Sequence, residues 1–238
     1  MKRASGFAVL LCAFGARADD PQAMTATLVE GTVSVRPAVS ETPAAVLEGA
    51  VLHAGDTVET SPGGRVEITF TNGSLIRIGE SSRMKLGGED PGNKRFSARL
   101  FVGNVWARVR KLLASDEIFQ VETENGVAGV RGTEFRVEAA PGAEDVVRVY
   151  EGVVEVRGGR GWIHRVDPGH ELLFHRDRLP SGPRRFEAAT ERGHKFMSWV
   201  RSRPERPLKE RLNERKKRRK QKLHEREWMR RELRGLKR

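Results

Sequence analysis

The chain has 238 residues, 32% of them charged and 37% hydrophobic, with a formal net charge of +12. That length can bury a core of its own, and a single cysteine, Cys12, excludes an intrachain disulfide framework. The charge is lopsided: residues 184–238 hold 22 Lys+Arg against 8 Asp+Glu, a net of +14, whereas residues 1–183 hold 22 against 24, a net of −2. A near-neutral body with a basic end points to an anionic partner and leaves the fold open.

In chain order, the first segment reads Met1-Lys2-Arg3, an apolar run from Phe7 to Phe14, then Ala16-Arg17-Ala18 before Asp19-Asp20. A basic, an apolar and a small-x-small segment in that order predict a secretory signal over residues 1–18, cleaved after Ala18. The expected location is therefore periplasmic or secreted. The bulky Leu11 before Cys12 argues against a lipoprotein. Cleavage would take Cys12 away and leave residues 19–183 at −5. The apolar run is shorter than the ~20 residues of a membrane-spanning helix, and no later run approaches that length, so no transmembrane span is expected.

Residues 27–176 predict an all-β domain. Val66-Glu67-Ile68-Thr69-Phe70 alternates strictly, and Asn72-Gly73 before Leu75–Ile78 marks a hairpin, because both residues tolerate positive φ. Further turn signals fall at Ser61-Pro62-Gly63-Gly64, Gly87-Gly88, Asp90-Pro91-Gly92, Pro141-Gly142 and Asp167-Pro168-Gly169. A weak internal repeat starts at Gly31, Gly103 and Gly152. Each glycine is followed by apolar residues at the second and fourth positions and then by Arg. The unequal spacing excludes a regular solenoid and fits irregular β-coils around one core, with a β-sandwich as the alternative.

The most specific stretch is Phe119–Val137, FQVETENGVAGVRGTEFRV. Val121 and Thr123 share one face of its first run, Phe135 and Val137 one face of its second, around a corner with Gly126, Gly129 and Gly132. With VYEGVVEVRG after it, this block resembles the FecR domain, the exported module of iron-dicitrate-type signalling proteins. Ala54-Gly55-Asp56-Thr57-Val58-Glu59-Thr60 is similar to an earlier corner of that family. The resemblance covers Val51 to Val156, more loosely to Phe174, and implies a twisted, β-solenoid-like architecture. The resemblance implies, for sigma-factor regulators of this family, a cytoplasmic segment and a membrane helix before the domain, and neither is expected from the residues here. Gly129, Arg131, Gly132, Thr133, Glu134 and Phe135 are expected to form a structural corner. Arg131 and Glu134 read there as an ion pair or as solvent-facing residues, with ligand recognition as the other reading.

No catalytic constellation appears: no phosphate loop, nucleophile elbow or His-Glu-x-x-His. The chain is therefore expected not to be an enzyme and to need no cofactor; an envelope hydrolase is the minor alternative. His164, His170 and His175, with Asp167 or Asp177, are the loosest of metal-ligand patterns, and no metal is expected. Trp106 and Trp162 lie on β runs and are expected to pack in the core or at strand edges.

Pro204 and Pro207 mark residues 177–207 as a linker. Residues 208–238 lack proline and are rich in Arg, Lys, Glu and Leu, which predicts a basic helical tail supported by pairs such as Glu214–Arg218. Lys216, Lys217, Arg218, Arg219 and Lys220, with Trp228, Arg230 and Arg231, are the candidate contacts to an anionic surface. Outside the cytoplasm that surface would be anionic lipid, lipopolysaccharide or a wall polymer. The sequence reading is thus an exported, non-catalytic binding, scaffolding or envelope-signalling module, whose β domain takes an unknown protein or glycan ligand. The alternative is a cytoplasmic nucleic-acid-binding protein acting through its tail.

Overall fold

The computed structural model describes residues 24–40, 42–90, 95–110 and 118–203. The expected signal peptide, residues 1–18, and the tail contacts between Lys216 and Arg231 lie outside the described residues. The described chain is β almost throughout. Its strands are β1 Met24–Glu30, β2 Val33–Arg36, β3 Ala44–Ala45, β4 Val51–Leu52, β5 Thr57–Thr60, β6 Arg65–Thr69, β7 Leu75–Ile78, β8 Arg83–Asp90 and β9 Arg95–Arg108. They continue as β10 Ile118–Glu122, β11 Gly126–Val130, β12 Glu134–Ala139, β13 Asp145–Glu151, β14 Val154–Gly158, β15 Ile163–Val166, β16 His170–Phe174 and β17 Arg184–Arg185. Two short helices, α1 Ala188–Gly193 and α2 Lys195–Ser202, follow.

Hydrogen bonding sorts the strands into two sheets. Sheet A runs β4-β1-β6-β7-β9-β12-β13-β16-β17. Sheet B runs β3-β2-β5-β8-β9-β10-β11-β14-β15. Strand β9 belongs to both: residues 95–102 pair in sheet B and residues 103–108 in sheet A. The change falls at Gly103, whose φ of 102° a side chain would strain, and where a Cβ would meet the Ser82 hydroxyl at 2.1 Å. All pairings are antiparallel except β9–β10.

Alternation explains the core. Ile68, Ile78, Val105, Phe135, Val137 and Val149 face inward from sheet A, and Val58, Leu86, Leu100, Val121, Val154 and Val156 from sheet B, in one buried cluster. The chain switches sheets repeatedly, so the architecture joins both expectations: strands coil around one core, and two sheets face each other across it. The Asn72-Gly73 hairpin joins β6 to β7, with Gly73 at φ 87°. The glycine repeat also has a structural meaning. Gly31 turns the chain from β1 in sheet A to β2 in sheet B, and Gly152 turns it from β13 to β14 in the same way. A Cβ on either would lie 2.7 Å from a carbonyl oxygen of the opposing corner, that of Gly63 and Gly132 respectively. Gly31 and Gly152 approach the opposing backbone so closely that a side chain on either would clash.

The stretch expected as a linker, 177–207, requires a correction. Its described part holds β17, α1 and α2, and the helices lie on the outer face of sheet A. Phe196, Met197, Trp199 and Val200 are buried there with Leu75 and Trp106 in a second cluster. Those four apolar positions recur at helical spacing, which gives even an eight-residue helix one buried face. The β domain therefore carries its own C-terminal cover within the described residues.

Candidate functional site

The six motif residues occupy the β11–β12 corner. Gly132 has φ 67°. Thr133 is buried and its hydroxyl donates to the Val153 carbonyl at 3.1 Å, which fastens the corner to the next one. Phe135 is fully buried in the core. Gly129 lies on β11 with room beside it, since a Cβ would meet nothing closer than the Glu155 carbonyl oxygen at 3.8 Å. Arg131 is exposed, and Glu134 turns away from it. The Glu134 carboxylate accepts from Trp106 Nε1 at 3.1 Å and pairs with Arg108 on the neighbouring strand.

The densest chemistry is on the outer face of sheet A. Strand register places Glu67, Arg77, Trp106, Arg136, Arg148, Glu171 and Arg184 side by side, one per strand from β6 to β17. Arg77, Trp106 and Arg136 are each at most 2% exposed, because α1 and α2 cover the row. Ionised side chains persist in such a place only when paired. Arg77 donates from Nε to Glu67 at 2.9 Å, and from its two terminal nitrogens to the carbonyls of Val200 at 2.5 Å and Arg203 at 2.7 Å. It thereby gives the Arg203 carbonyl a donor and adds a second one to the Val200 carbonyl, which also accepts the Arg203 backbone N–H at 3.3 Å. Its guanidinium lies 5.2 Å from the Trp106 ring centre and 5.8 Å from that of Trp199. Trp199 Nε1 in turn donates to Glu30 at 2.8 Å, and Arg203 pairs with the same carboxylate.

A second group holds α1. Arg136 pairs with Glu138 and with Glu191, the latter at 3.3 Å. Arg148 lies 2.7 Å from Glu171 and 3.1 Å from Glu138. The Tyr150 hydroxyl donates to Glu191, and burial pushes its ionisation far above the usual range. His194 joins the two helices. Burial, reinforced by Arg136, holds its imidazole below the ordinary value, while its Nε2 lies 3.6 Å from Glu138. This device was not anticipated from the sequence; the stripe of Phe196, Met197, Trp199 and Val200 was its one local sign.

The outer face of sheet B is different. Arg36, Arg83, Lys85, Arg99, Glu155, Arg157, Ile163 and Arg165 on it are all exposed. Elsewhere, Trp162 is buried against Phe174, and the His170 ring lies 3.1 Å from the Pro168 carbonyl. His175 is 3.7 Å from Asp177. Among the described residues no three His, Cys, Asp or Glu side chains group to hold a metal ion. No described helix is long and apolar enough to cross a membrane. Asp145, at the β12–β13 hairpin, is 1% exposed, and burial raises its carboxyl above the usual range against hydrogen bonds from Thr123 and Asn125.

Residues 56–155 match the family model described as FecR protein. No curated protein matches the chain. A solved structure from Parabacteroides distasonis, a candidate anti-sigma factor, is 17% identical with a TM-score of 0.50, over 60% of this chain and 64% of that one. A second structure of a candidate anti-sigma factor from that organism is also 17% identical, with a TM-score of 0.49 over 57% and 63%. The chain thus spans less than two thirds of either structure. At this identity the first likeness is one of fold.

Proposed function

We propose that this chain, whose residues 56–155 are a FecR domain, is an exported, non-catalytic binding and scaffolding module of envelope signalling, held to an anionic envelope surface by its basic tail. The observation that carries the reading is the attachment of α2. Arg77 holds the carbonyls of Val200 and Arg203, so the last described residues are docked on the β domain. Residues 204–238 then hold 16 Lys+Arg against 6 Asp+Glu, a net of +10. Each basic residue near an anionic membrane contributes on the order of 1 kcal/mol, weakened by salt. A rigid root converts that attraction into positioning of the domain. The buried ionic groups support a non-catalytic role, because Arg77 is ion-paired with Glu67 and Arg136 with Glu191.

Two measurements test the proposal. N-terminal sequencing of the fractionated protein should find a mature chain beginning at Asp19 outside the cytoplasm. The full chain should sediment with phosphatidylglycerol vesicles at low salt and stay in solution with neutral ones. A cytosolic chain beginning at Met1, or sedimentation that ignores lipid charge, contradicts it.

A further inference from the structure

We infer that the outer face of sheet B carries a binding site for an acidic polysaccharide, built from Arg83 and Lys85 on β8 and Arg99 and Phe101 on β9. The inference deepens the binding-module reading and rests on it, but it does not depend on the tail.

Three observations converge. The first is uncompensated charge. Lys85 stands directly opposite Arg99 in the β8–β9 register, and Arg83 is on the same face two residues before Lys85. Like charges opposed across a strand pair destabilise it. Among the described residues none of the three has an ion-pair partner: Glu59, the register neighbour of Arg83, lies 3.8 Å from Arg36 instead, and Glu122, opposite Arg99, is not within ion-pair distance of it. Residues 19–183 are net −5, so a bare cationic cluster runs against the charge of the body around it.

The second is preorganisation. The Arg83 and Arg99 guanidiniums lie 5.0 Å and 5.5 Å from the Phe101 ring centre. The half-buried ring seats both groups, which reduces the side-chain freedom lost when they bind. Forked guanidinium donors match carboxylates bidentately.

The third is the shape of the face, which selects the ligand class. Strands β8 and β9 are interior to sheet B, paired to β5 and β10 on their outer sides, so no backbone ladder is free to receive a peptide strand. The one aromatic ring is seated among guanidiniums rather than protruding, which does not suit insertion at a lipid interface. An exposed sheet face with forked donors suits an extended chain of sugar rings bearing carboxylates, bound through side chains alone.

The test is a site-resolved NMR titration of the full chain with tetragalacturonate, with neutral tetragalactose as control. The acidic oligosaccharide should shift the amides of residues 83–85 and 99–101, and the neutral one should not. Arg83→Gln with Arg99→Gln should weaken the response at those amides at least about tenfold, while the rest of the spectrum overlays that of the parent chain. Lys85→Gln alone should weaken it less. Shifts confined to residues 204–238 overturn this site and leave the tail reading standing. Silence at residues 83–85 and 99–101 overturns this site, whatever the vesicle assay shows for the tail. A patch that responds to an acidic peptide or to anionic vesicles but not to the oligosaccharide overturns the choice of ligand.

Discussion

The outer faces of the two sheets make opposite use of arginine. On sheet A, Arg77 and Arg136 are buried under two short helices, and each meets a carboxylate. On sheet B, Arg83 and Arg99 stand in solvent, beside a lysine and over one phenylalanine. Both rows come from the same strand alternation. Among the described residues, what separates them is whether the chain returns to cover the face. A covered arginine must be paired and becomes structural, whereas an uncovered one can stay unpaired and is free for a partner.

Substitutions should break this symmetry of composition. Arg77→Ala removes the cation paired with buried Glu67 and the side-chain donor to the carbonyls of Val200 and Arg203. It should cost roughly 3–5 kcal/mol in chemical unfolding. Trp199→Ala removes the indole between Arg77 and Glu30 and should cost about 3 kcal/mol, seen first as faster hydrogen exchange in α2. A cost below about 1 kcal/mol for either would mean that the cover is not docked as described.

The pH dependence of the cover sharpens the comparison. His194 faces Arg136, Arg148, Glu138 and Glu191, and its docked value lies below the ordinary 6.5. The docked form therefore binds fewer protons than the undocked one. Stability is fully present above pH 6.5 and falls as pH drops from there toward the docked value. Trp199 fluorescence should report looser packing as pH falls below the ordinary histidine value of 6.5, and His194→Gln should flatten that change. A profile identical in the variant would assign the effect to the carboxylates. The smallest effect belongs to sheet B. Arg83→Gln should change stability by no more than about 0.5 kcal/mol, with a slight gain as the like-charge cluster is relieved.

The strands and corners were legible because their signals are local. Alternation over five residues exposes Val66 and Ile68 as core, and a glycine before a turn marks Gly31 and Gly152 as corners. The motif around Gly132 carried the family resemblance, and in the structure it lies between β11 and β12 with Thr133 and Phe135 buried. The cover was hidden because its partners are remote: Arg77 meets Val200 across 123 residues and Arg203 across 126. Read locally, Leu75-Ile76-Arg77-Ile78 is a strand with its arginine in water, and the prolines at 204 and 207 suggest that structure has ended earlier than it does. Pairing across such a distance is a property of packing, which periodicity does not report.

One pair of truncations tests the division between covered domain and tail most directly. A chain ending at Arg203 keeps α1 and α2; a chain ending at Pro183 loses them. The first should unfold within a few degrees of the full chain and fail to sediment with anionic vesicles. The second should unfold well below it, by ten degrees or more, as Trp106, Arg77 and Arg136 lose their cover. If the two shortened chains are equally stable, α1 and α2 are not part of the domain. If the chain ending at Arg203 binds vesicles as the full chain does, the tail is not the anchor.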